Sequence, residues 1–254
     1  MTDTPVDTTR WVEGHVVELF PWTETLYSLR VRASVEPFTA GQFTKIGHVI
    51  QGELVSRPYS YVNSPDEDLL EFYFVRVPDG PLTRRLIESR AGEPIWVMKR
   101  ASGFLTLNEV PDSRDLWMLS TGTAVGPFLS MLKTGEPFER FENVVLVHAV
   151  RYARELSFQD TVARLAERHG ARFHYVPFVS RESAPPALPG RVTRALTDGA
   201  LERAVRLSLA PESSQVMICG NPEMVRETTE LLGQRGLRKN RRRTPGHVTV
   251  ENYW

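Results

Sequence analysis

The stretch Leu116-Trp-Met-Leu-Ser-Thr-Gly-Thr-Ala-Val-Gly-Pro127 decides the fold class of the second half of this chain. Residues 116–120 are a short apolar run that indicates a buried strand, and a glycine turn then leads into a helical stretch through Leu132. The same alternation continues with strands at 144–149, 173–178 and 215–219 and with helices at 154–169 and 223–232. Nearly continuous apolar strands that alternate with helices predict an α/β domain with a parallel sheet covered on both faces.

The first half has a different pattern. In segments 12–20, 25–31 and 69–77, polar and apolar residues alternate and β-branched and aromatic residues are frequent. Prolines and glycines separate these segments. Many short strands at this spacing predict a small antiparallel β-barrel, interrupted by one helix at 82–89 that Pro81 opens. The polar connection Pro111-Asp-Ser-Arg114 then marks the boundary, so we expect two domains, 1–108 and 109–254.

Charge and cysteine content exclude several classes of function. The 254 residues carry 31 basic and 31 acidic side chains, which excludes a polyanion binder that works through bulk charge but leaves room for a local basic face. The single cysteine excludes an internal disulfide, a four-cysteine zinc site and a fused iron–sulfur cluster. The six histidines show no metal-ligand spacing, so we expect no metal site. Redox chemistry would therefore use a non-covalent organic cofactor.

The ends of the chain and its hydropathy bear on location. The polar, acidic start Met1-Thr-Asp-Thr-Pro5 is unlike a signal peptide, and no apolar run approaches the ~18 residues of a membrane span. We expect a cytoplasmic protein without a membrane segment.

The motif Arg57-Pro-Tyr-Ser60 in the barrel half combines three useful groups. Arg57 offers a bidentate fork for a phosphate, and Tyr59 offers a ring that can lie against a planar heterocycle. Ser60 has a hydroxyl that can donate to a ring nitrogen. On a strand, Arg57 and Tyr59 share one face. An exposed arginine beside a barrel aromatic is the alternative interpretation.

The turn Asp79-Gly-Pro-Leu-Thr83 runs into the predicted helix of the first half. Free backbone amides at a helix start attract anions, and Thr83 adds a hydroxyl donor. An ordinary capped helix explains the same residues.

Two motifs of the second half follow predicted strands. The turn after Ser120 carries Gly122 and Gly126 and does not match the usual G-x-G-x-x-G, so alone it is a weak dinucleotide signal. Cys219-Gly-Asn-Pro222 lies where a strand ends, and ligands of open parallel sheets bind beyond the carboxyl ends of strands. A buried, inert thiol is the alternative for Cys219.

Arginines also follow predicted strands. Arg151 and Arg181 come just after two of them, and Arg191 lies ten residues beyond Arg181. An acidic residue at the strand end would bind a ribose 2′-hydroxyl, whereas Ser180 and Arg181 stand there, which favours NADPH over NADH. Each arginine taken alone is also compatible with an ordinary surface charge.

The last part of the chain holds a dense basic segment and an aromatic end. Arg238-Lys-Asn-Arg-Arg-Arg243 places five cations in six residues. Without overall positive charge or a recognisable motif, nucleic-acid binding is disfavoured, and a docking face for a small acidic protein is an alternative to a solvated patch. The chain ends on Tyr253-Trp254, and two large aromatics rarely end a chain without something to stack against.

Taken in this order, these motifs resemble those of the bacterial-type ferredoxin/flavodoxin–NADP⁺ reductases, most closely the enterobacterial-like subclass that ends on Tyr-Trp. The resemblance covers essentially the whole chain. It implies FAD held by the barrel domain 1–108 and NADP(H) held by the α/β domain 109–254. It also implies an enzyme that transfers electrons between NADPH, as a hydride, and ferredoxin or flavodoxin, one at a time.

The resemblance implies a role for individual residues. It places Ser60, Cys219 and Tyr253 at the reacting rings, with Tyr59 and Tyr253 on opposite flavin faces and Trp254 on the adenine. The implied FAD contacts are Arg57, Pro58, Tyr59, Ser60, Phe74, Val75, Arg76, Pro81, Leu82, Thr83, Thr123, Tyr253 and Trp254. The implied NADP(H) contacts are Arg151, Ser180, Arg181, Arg191, Cys219, Gly220 and Asn221. Glu251 matches the spacing of a glutamate in plant-type reductases, and no role is assigned to it here.

Three other functions stay open. The first is a flavin-dependent reductase that feeds an oxygenase through a separate iron–sulfur partner. The second is a non-catalytic dinucleotide sensor, and the third is a nucleic-acid binder that uses the basic segment. On the reductase interpretation the chain is a monomer, and its carrier protein docks on a basic face that includes Arg238, Lys239, Arg241, Arg242 and Arg243.

Overall fold

The computed structural model of the protein describes residues 6–241 and 243–252, and the chain divides into two compact units, Met1–Phe104 and Leu105–Trp254. The division falls four residues before the predicted position. Leu105 and Leu107 are buried, and Arg140 of the second unit donates hydrogen bonds to the carbonyl oxygens of Leu107 (2.8 Å) and Val110 (2.7 Å). These contacts attach the connecting segment to the second unit.

The first unit is an antiparallel six-stranded sheet with one short helix. Its elements are β1 (Trp11–Pro21), β2 (Leu26–Arg32), β3 (Phe43–Ile50), β4 (Glu53–Ser60), β5 (Leu70–Val75), α1 (Pro81–Leu86) and β6 (Pro94–Met98). The strand order is β4-β3-β6-β1-β2-β5. Tyr61, just after β4, forms an antiparallel bridge with Phe72 in β5 and so joins the two outer strands. This curled sheet confirms the predicted antiparallel β-domain.

Alternating apolar residues build the core of the first unit, since successive side chains on a strand point to opposite faces. Leu29, Ile46, Phe72 and Ile95 from four different strands are fully buried in one cluster. Helix α1 is shorter than the predicted 82–89, because from Leu86 onward the backbone closes tight turns instead, with Ser89 N donating to Leu86 O.

The second unit is a parallel six-stranded sheet with helices. Its elements are β7 (Asp115–Thr121), α2 (Gly126–Thr134), α3 (Glu136–Arg140), β8 (Asn143–Val150), α4 (Gln159–His169), β9 (Phe173–Val179), β10 (Leu188–Pro189), α5 (Val192–Thr197), α6 (Ala200–Val205), β11 (Ser214–Gly220), α7 (Pro222–Gln234) and β12 (Val248–Asn252). The strand order is β10-β9-β8-β7-β11-β12, and every pair is parallel. The predicted parallel-sheet α/β domain is thereby confirmed.

The apolar runs of this unit are buried on both faces of the sheet. All residues from Asp115 to Ser120 are buried. One cluster joins Trp117 and Leu119 of β7 with Leu196 of α5, Leu201 of α6 and Leu232 of α7. A strand that is covered on both faces can be apolar throughout, and this is why continuous apolar runs in the sequence predicted these strands.

Two elements differ from the prediction. The helix expected from residue 154 begins only at Gln159, because Phe158 adopts a left-handed backbone conformation (φ +63°) and Ala153–Glu155 form a separate 3₁₀ turn. Strand β12 was not predicted. It completes the sheet beside β11, with Cys219 opposite Glu251.

Within residues 6–241 and 243–252, no helix is both long and apolar enough to cross a membrane. The same residues contain no group of three or more His, Cys, Asp or Glu side chains that could hold a metal ion.

Candidate functional site

The motif Arg57–Ser60 lies at the end of β4 in the first unit. Tyr59 pairs with Thr44 and Ser60 with Phe43 of β3. Arg57 is exposed, Tyr59 is half-buried and Ser60 is 4% exposed. Burial raises the pKa of Tyr59 to about 12, so its phenol keeps its proton at neutral pH. Pro58, between them, is exposed.

The end of β5 supports the ring of Tyr59. Phe74 is 2% exposed and meets Tyr59 edge to face, with 6.0 Å between ring centroids and 75° between planes. Such a contact fixes the orientation of an aromatic ring. Val75 is half-buried and Arg76 is exposed, so the strand passes from core to surface at this point. The structure therefore brings Tyr59 and Phe74 together.

The turn before α1 is closed by a side chain. Thr83 Oγ1 accepts a hydrogen bond from Val77 N (3.0 Å) and lies 3.2 Å from Val77 O as a donor. Leu82 and Thr83 are buried, whereas Pro81 is exposed. The Thr83 hydroxyl was expected to serve an anion, and in the structure it holds the backbone of the turn.

Most of the candidate residues of the second unit follow the carboxyl ends of its parallel strands. Thr121 of β7 is opposite Ala149 of β8, and Val150 is opposite Val179 of β9. Parallel strands end at the same edge of a sheet. The turns after β7, β8, β9 and β11 therefore meet along one edge.

Two strands approach each other closely at this edge. A Cβ on Gly220, whose φ is +149°, would collide with Thr121 Oγ1, and Asn221 N donates to the same oxygen at 3.0 Å. Gly122 has φ +56° with open space where a Cβ would be. Position 220 therefore requires glycine, because its backbone angle and the approach of Thr121 leave no place for a side chain. At Gly122 the left-handed φ alone favours glycine. Thr123 is buried in the 3₁₀ turn that follows.

Asn221 precedes helix α7 and caps its start. Its Oδ1 accepts hydrogen bonds from Glu223 N (2.9 Å) and Met224 N (3.3 Å), which satisfies two of the free amides at the helix start. The side chain thus has a structural task that the sequence did not reveal.

Cys219 and Glu251 lie side by side on β11 and β12. Cys219 is fully buried, and burial together with the neighbouring charge of Glu251 raises the pKa of its thiol well above the ordinary value. Burial also raises the pKa of Glu251 to about 7. At neutral pH the thiol is uncharged and the carboxyl is close to its midpoint. The sequence analysis assigned no role to Glu251, because the additional Trp254 departs from the plant-type pattern, and it did not predict β12.

Three exposed arginines follow adjacent strands. The ladder continues past β8 and β9, with Ser180 N donating to Val150 O (3.1 Å) and Arg181 N to Arg151 O (2.9 Å). Arg191 comes two residues after the end of β10, which pairs with β9. Adjacent strands lie about 4.8 Å apart, so Arg151, Arg181 and Arg191 emerge from one short length of the sheet edge.

Tyr152 and Arg154 belong to the same edge, and the sequence analysis missed both. The Cζ of Arg154 lies 5.0 Å from the Tyr152 ring centroid, and the Cζ of Arg181 lies 6.0 Å from it. The signal was present in Arg151-Tyr-Ala-Arg154, where an aromatic stands between two arginines directly after a strand.

The basic segment forms an exposed loop beside β12. Arg238, Lys239, Arg241 and Arg243 are exposed. Asn240 anchors the loop, because its Nδ2 donates to Glu109 O (2.5 Å) and Thr249 Oγ1 (3.2 Å) and its Oδ1 accepts from Gly246 N (3.0 Å). Three further predicted site residues, Arg242, Tyr253 and Trp254, lie outside the described residues.

Comparison with known proteins identifies the family. Residues 118–230 match the model of the oxidoreductase NAD-binding domain. Relatives named flavodoxin/ferredoxin–NADP reductase are 51% identical in Shigella flexneri and 50% identical in Escherichia coli, each over 96% of this chain and 99% of the relative. A crystal structure of a ferredoxin NADP⁺ reductase from Neisseria gonorrhoeae with bound FAD and NADP is 35% identical and superimposes with a TM-score of 0.90 over 96% of this chain and 99% of that one. These matches confirm the resemblance seen in the sequence, and the chain belongs to the flavodoxin/ferredoxin–NADP reductase family.

Proposed function

We propose that this chain binds FAD and NADP(H) and transfers electrons between NADPH and ferredoxin or flavodoxin. The observation that carries the proposal is the set of exposed arginines, Arg151, Arg181 and Arg191, at the carboxyl edge of the parallel sheet. A cluster of arginines at this edge suits a nucleotide with several phosphates. The family to which the chain belongs carries out the same reaction.

The first unit has groups that fit FAD. Arg57 is exposed and can grip a phosphate, and the ring of Tyr59, held edge-on by Phe74, is oriented for packing against a flat ring system. The Ser60 hydroxyl would donate a hydrogen bond to the flavin ring. The other contacts that we propose in this unit are Pro58, Phe74, Val75, Arg76, Pro81, Leu82 and Thr83. Contacts from Thr123, Tyr253 and Trp254 stay predictions from the sequence.

The second unit has groups that fit NADPH. We assign the 2′-phosphate to Arg181 and Arg191, with Arg151 nearby. Ser180 stands directly after β9, where an acidic residue would instead bind a ribose 2′-hydroxyl. The open space beside Gly122 leaves room for a nucleotide at this edge. Gly220 lets Thr121 come close, and Asn221 keeps the start of α7 in place.

When bound, FAD takes up two electrons as a hydride and gives them up singly, and the chain has to orient the reactants and exclude side reactions. Cys219 would lie beside the nicotinamide, and its thiol would be neutral there because burial raises its pKa. Ser60 holds a hydroxyl proton at the flavin. Tyr253 is the predicted aromatic that yields its place to the nicotinamide.

The basic segment is our candidate docking face for the acidic carrier protein. The chain has no net charge, so attraction has to come from local cations such as Arg238, Lys239, Arg241 and Arg243. Asn240 holds their loop against the body of the second unit. The predictions of a monomer and of a cytoplasmic location complete the proposal.

The test uses the purified full-length protein. A flavin absorption spectrum, equimolar FAD, and bleaching by NADPH without oxygen are expected, followed by reoxidation with added ferredoxin or flavodoxin. A colourless protein that takes up no FAD and oxidises no NADPH with any acceptor would reject the proposal.

The docking face has its own test. Arg241→Glu should slow reduction of the carrier protein by about 5-fold or more at low salt, and the effect should shrink as salt rises. Arg164→Glu, a charge reversal at an exposed position of α4, is the matched control. Equal rates for the two variants would place docking elsewhere.

A further inference from the structure

The turn after β8 carries an aromatic–arginine cluster beyond the three arginines assigned above. We propose that Arg154 is a further residue that selects NADPH over NADH and that Tyr152 is a positioning residue for Arg154 and Arg181. The inference rests on the proposed function and deepens it, because it concerns recognition of the 2′-phosphate at the same sheet edge.

The Tyr152 ring contacts two arginine side chains. The guanidinium carbons of Arg154 and Arg181 lie 5.0 Å and 6.0 Å from the centroid of the Tyr152 ring, within the range of cation–π attraction. Tyr152 is half-buried, whereas both arginines are exposed. A half-buried ring is a fixed support, and the charged heads that rest on it stay open to solvent and to a ligand.

The backbone under this cluster is tied down. Glu155 Oε2 accepts hydrogen bonds from Arg151 N (2.9 Å) and Tyr152 N (3.1 Å), and Glu182 Oε1 accepts one from Ala153 N (2.6 Å). Together with the bond from Arg181 N to Arg151 O, these contacts join the turns after β8 and β9 into one structure. The two arginine side chains therefore emerge from backbone positions that hold each other in place.

The local charge balance explains how Arg154 could favour a phosphate. The two glutamates that tie the turns bring two negative charges to an edge that is to receive a phosphate. Arg151, Arg181 and Arg191 exceed them by one, and Arg154 raises the excess to two. Because a 2′-phosphate carries nearly two negative charges, this added cation strengthens binding of the phosphorylated cofactor selectively.

An exposed cation near a phosphate raises the binding affinity by a modest factor. For charges a few ångströms apart at a solvated surface, removal of Arg154 is expected to weaken binding about 3- to 10-fold, and less at high salt. A solvated surface arginine without this role would leave the affinity unchanged.

The experiment measures binding rather than turnover. Isothermal titration of the FAD-loaded, full-length protein with adenosine 2′,5′-bisphosphate and with 5′-AMP, which differ only by the 2′-phosphate, gives the preference for that phosphate. The variants are Arg154→Ala, Tyr152→Leu and Tyr152→Phe, which keeps the ring. Arg164→Ala, an exposed arginine that hydrogen-bonds to Thr161 on α4, is the control.

We expect Arg154→Ala and Tyr152→Leu to weaken binding of adenosine 2′,5′-bisphosphate about 3- to 10-fold without changing the binding of 5′-AMP. Tyr152→Phe and Arg164→Ala should behave like the unchanged protein. Unaltered affinity in Arg154→Ala would overturn the role of Arg154, and loss of affinity in Tyr152→Phe equal to that in Tyr152→Leu would overturn the role of the ring. Failure of the unchanged protein to prefer the 2′-phosphate would instead overturn the NADPH assignment, and this inference with it.

Discussion

Replacing Glu251 by glutamine removes a buried ionisable group and should change how stability depends on pH. The pKa of Glu251 rises from its ordinary value of 4.5 to about 7 in the folded chain because of burial. Between these values the folded chain holds a proton that the unfolded chain has released. The stability that this proton contributes is complete below pH 4.5 and is lost as the pH rises through about 7.

The size of the effect follows from the two pKa values. At 1.36 kcal/mol per pH unit, their difference corresponds to at most about 3 kcal/mol, and partial access of water to Glu251 reduces this to about 1–3 kcal/mol. Glutamine has a similar shape and no charge to bury. The variant Glu251→Gln lacks this pH-dependent loss. Its stability relative to the unchanged protein should therefore increase by about 1–3 kcal/mol when the pH is raised from about 5 to about 8.5.

Urea unfolding of both proteins at the two pH values, followed by circular dichroism, measures this gain. Glu230→Gln is the matched control, since Glu230 is exposed on α7 in an ion pair with Arg226 (3.2 Å), and it should alter stability by less than about 0.5 kcal/mol at either pH. If the stability difference between Glu251→Gln and the unchanged protein is the same at both pH values, the burial argument for this carboxyl is refuted.

Substitutions at four further positions test the site. Arg181→Asp should lower the NADPH-to-NADH ratio of kcat/KM by about 10- to 150-fold, through loss of a charged hydrogen bond worth about 1.5–3 kcal/mol, and an unaltered ratio would reject the assignment. Gly220→Ala should cost about 1–3 kcal/mol in urea unfolding, because its Cβ meets Thr121 and the backbone angle is strained; a neutral result would contradict the close approach of the strands. Asn221→Ala should cost about 1 kcal/mol and Asn221→Asp much less, also by urea unfolding, and equal costs would argue against the helix cap. Tyr253→Ala should tighten NADP⁺ binding, seen by titration of the flavin spectrum, because the nicotinamide no longer has to displace the ring; weaker or unchanged binding would count against this displacement.

Much of the fold and part of the candidate site could be predicted. Arg57, Tyr59, Arg151, Arg181 and Cys219 all lie at strand ends that local patterns had located. What the patterns missed was what else the side chains do. Thr83 closes its own turn and Asn221 caps a helix, tasks that depend on neighbours brought near only by folding.

Strand β12 was missed because Val248–Asn252 is short and lies beside a dense basic segment, so composition pointed to a surface loop. Its pairing with β11 is what buries Glu251 beside Cys219. In the same way, the left-handed backbone at Phe158 delays the start of α4 to Gln159, although the apolar spacing begins before it.

The amino-acid sequence by itself determined the class of each unit, because alternating and continuous apolar runs report whether a strand is buried on one face or on both. It also placed arginines and the cysteine at the ends of strands. Only the tertiary structure decided which of these ends meet, through bonds such as that between Asn221 and Thr121, one hundred residues apart. Local periodicity carries no information on such distant partners. The burial that raises the pKa of Glu251 and the contact of Arg181 with the Tyr152 ring both depend on them.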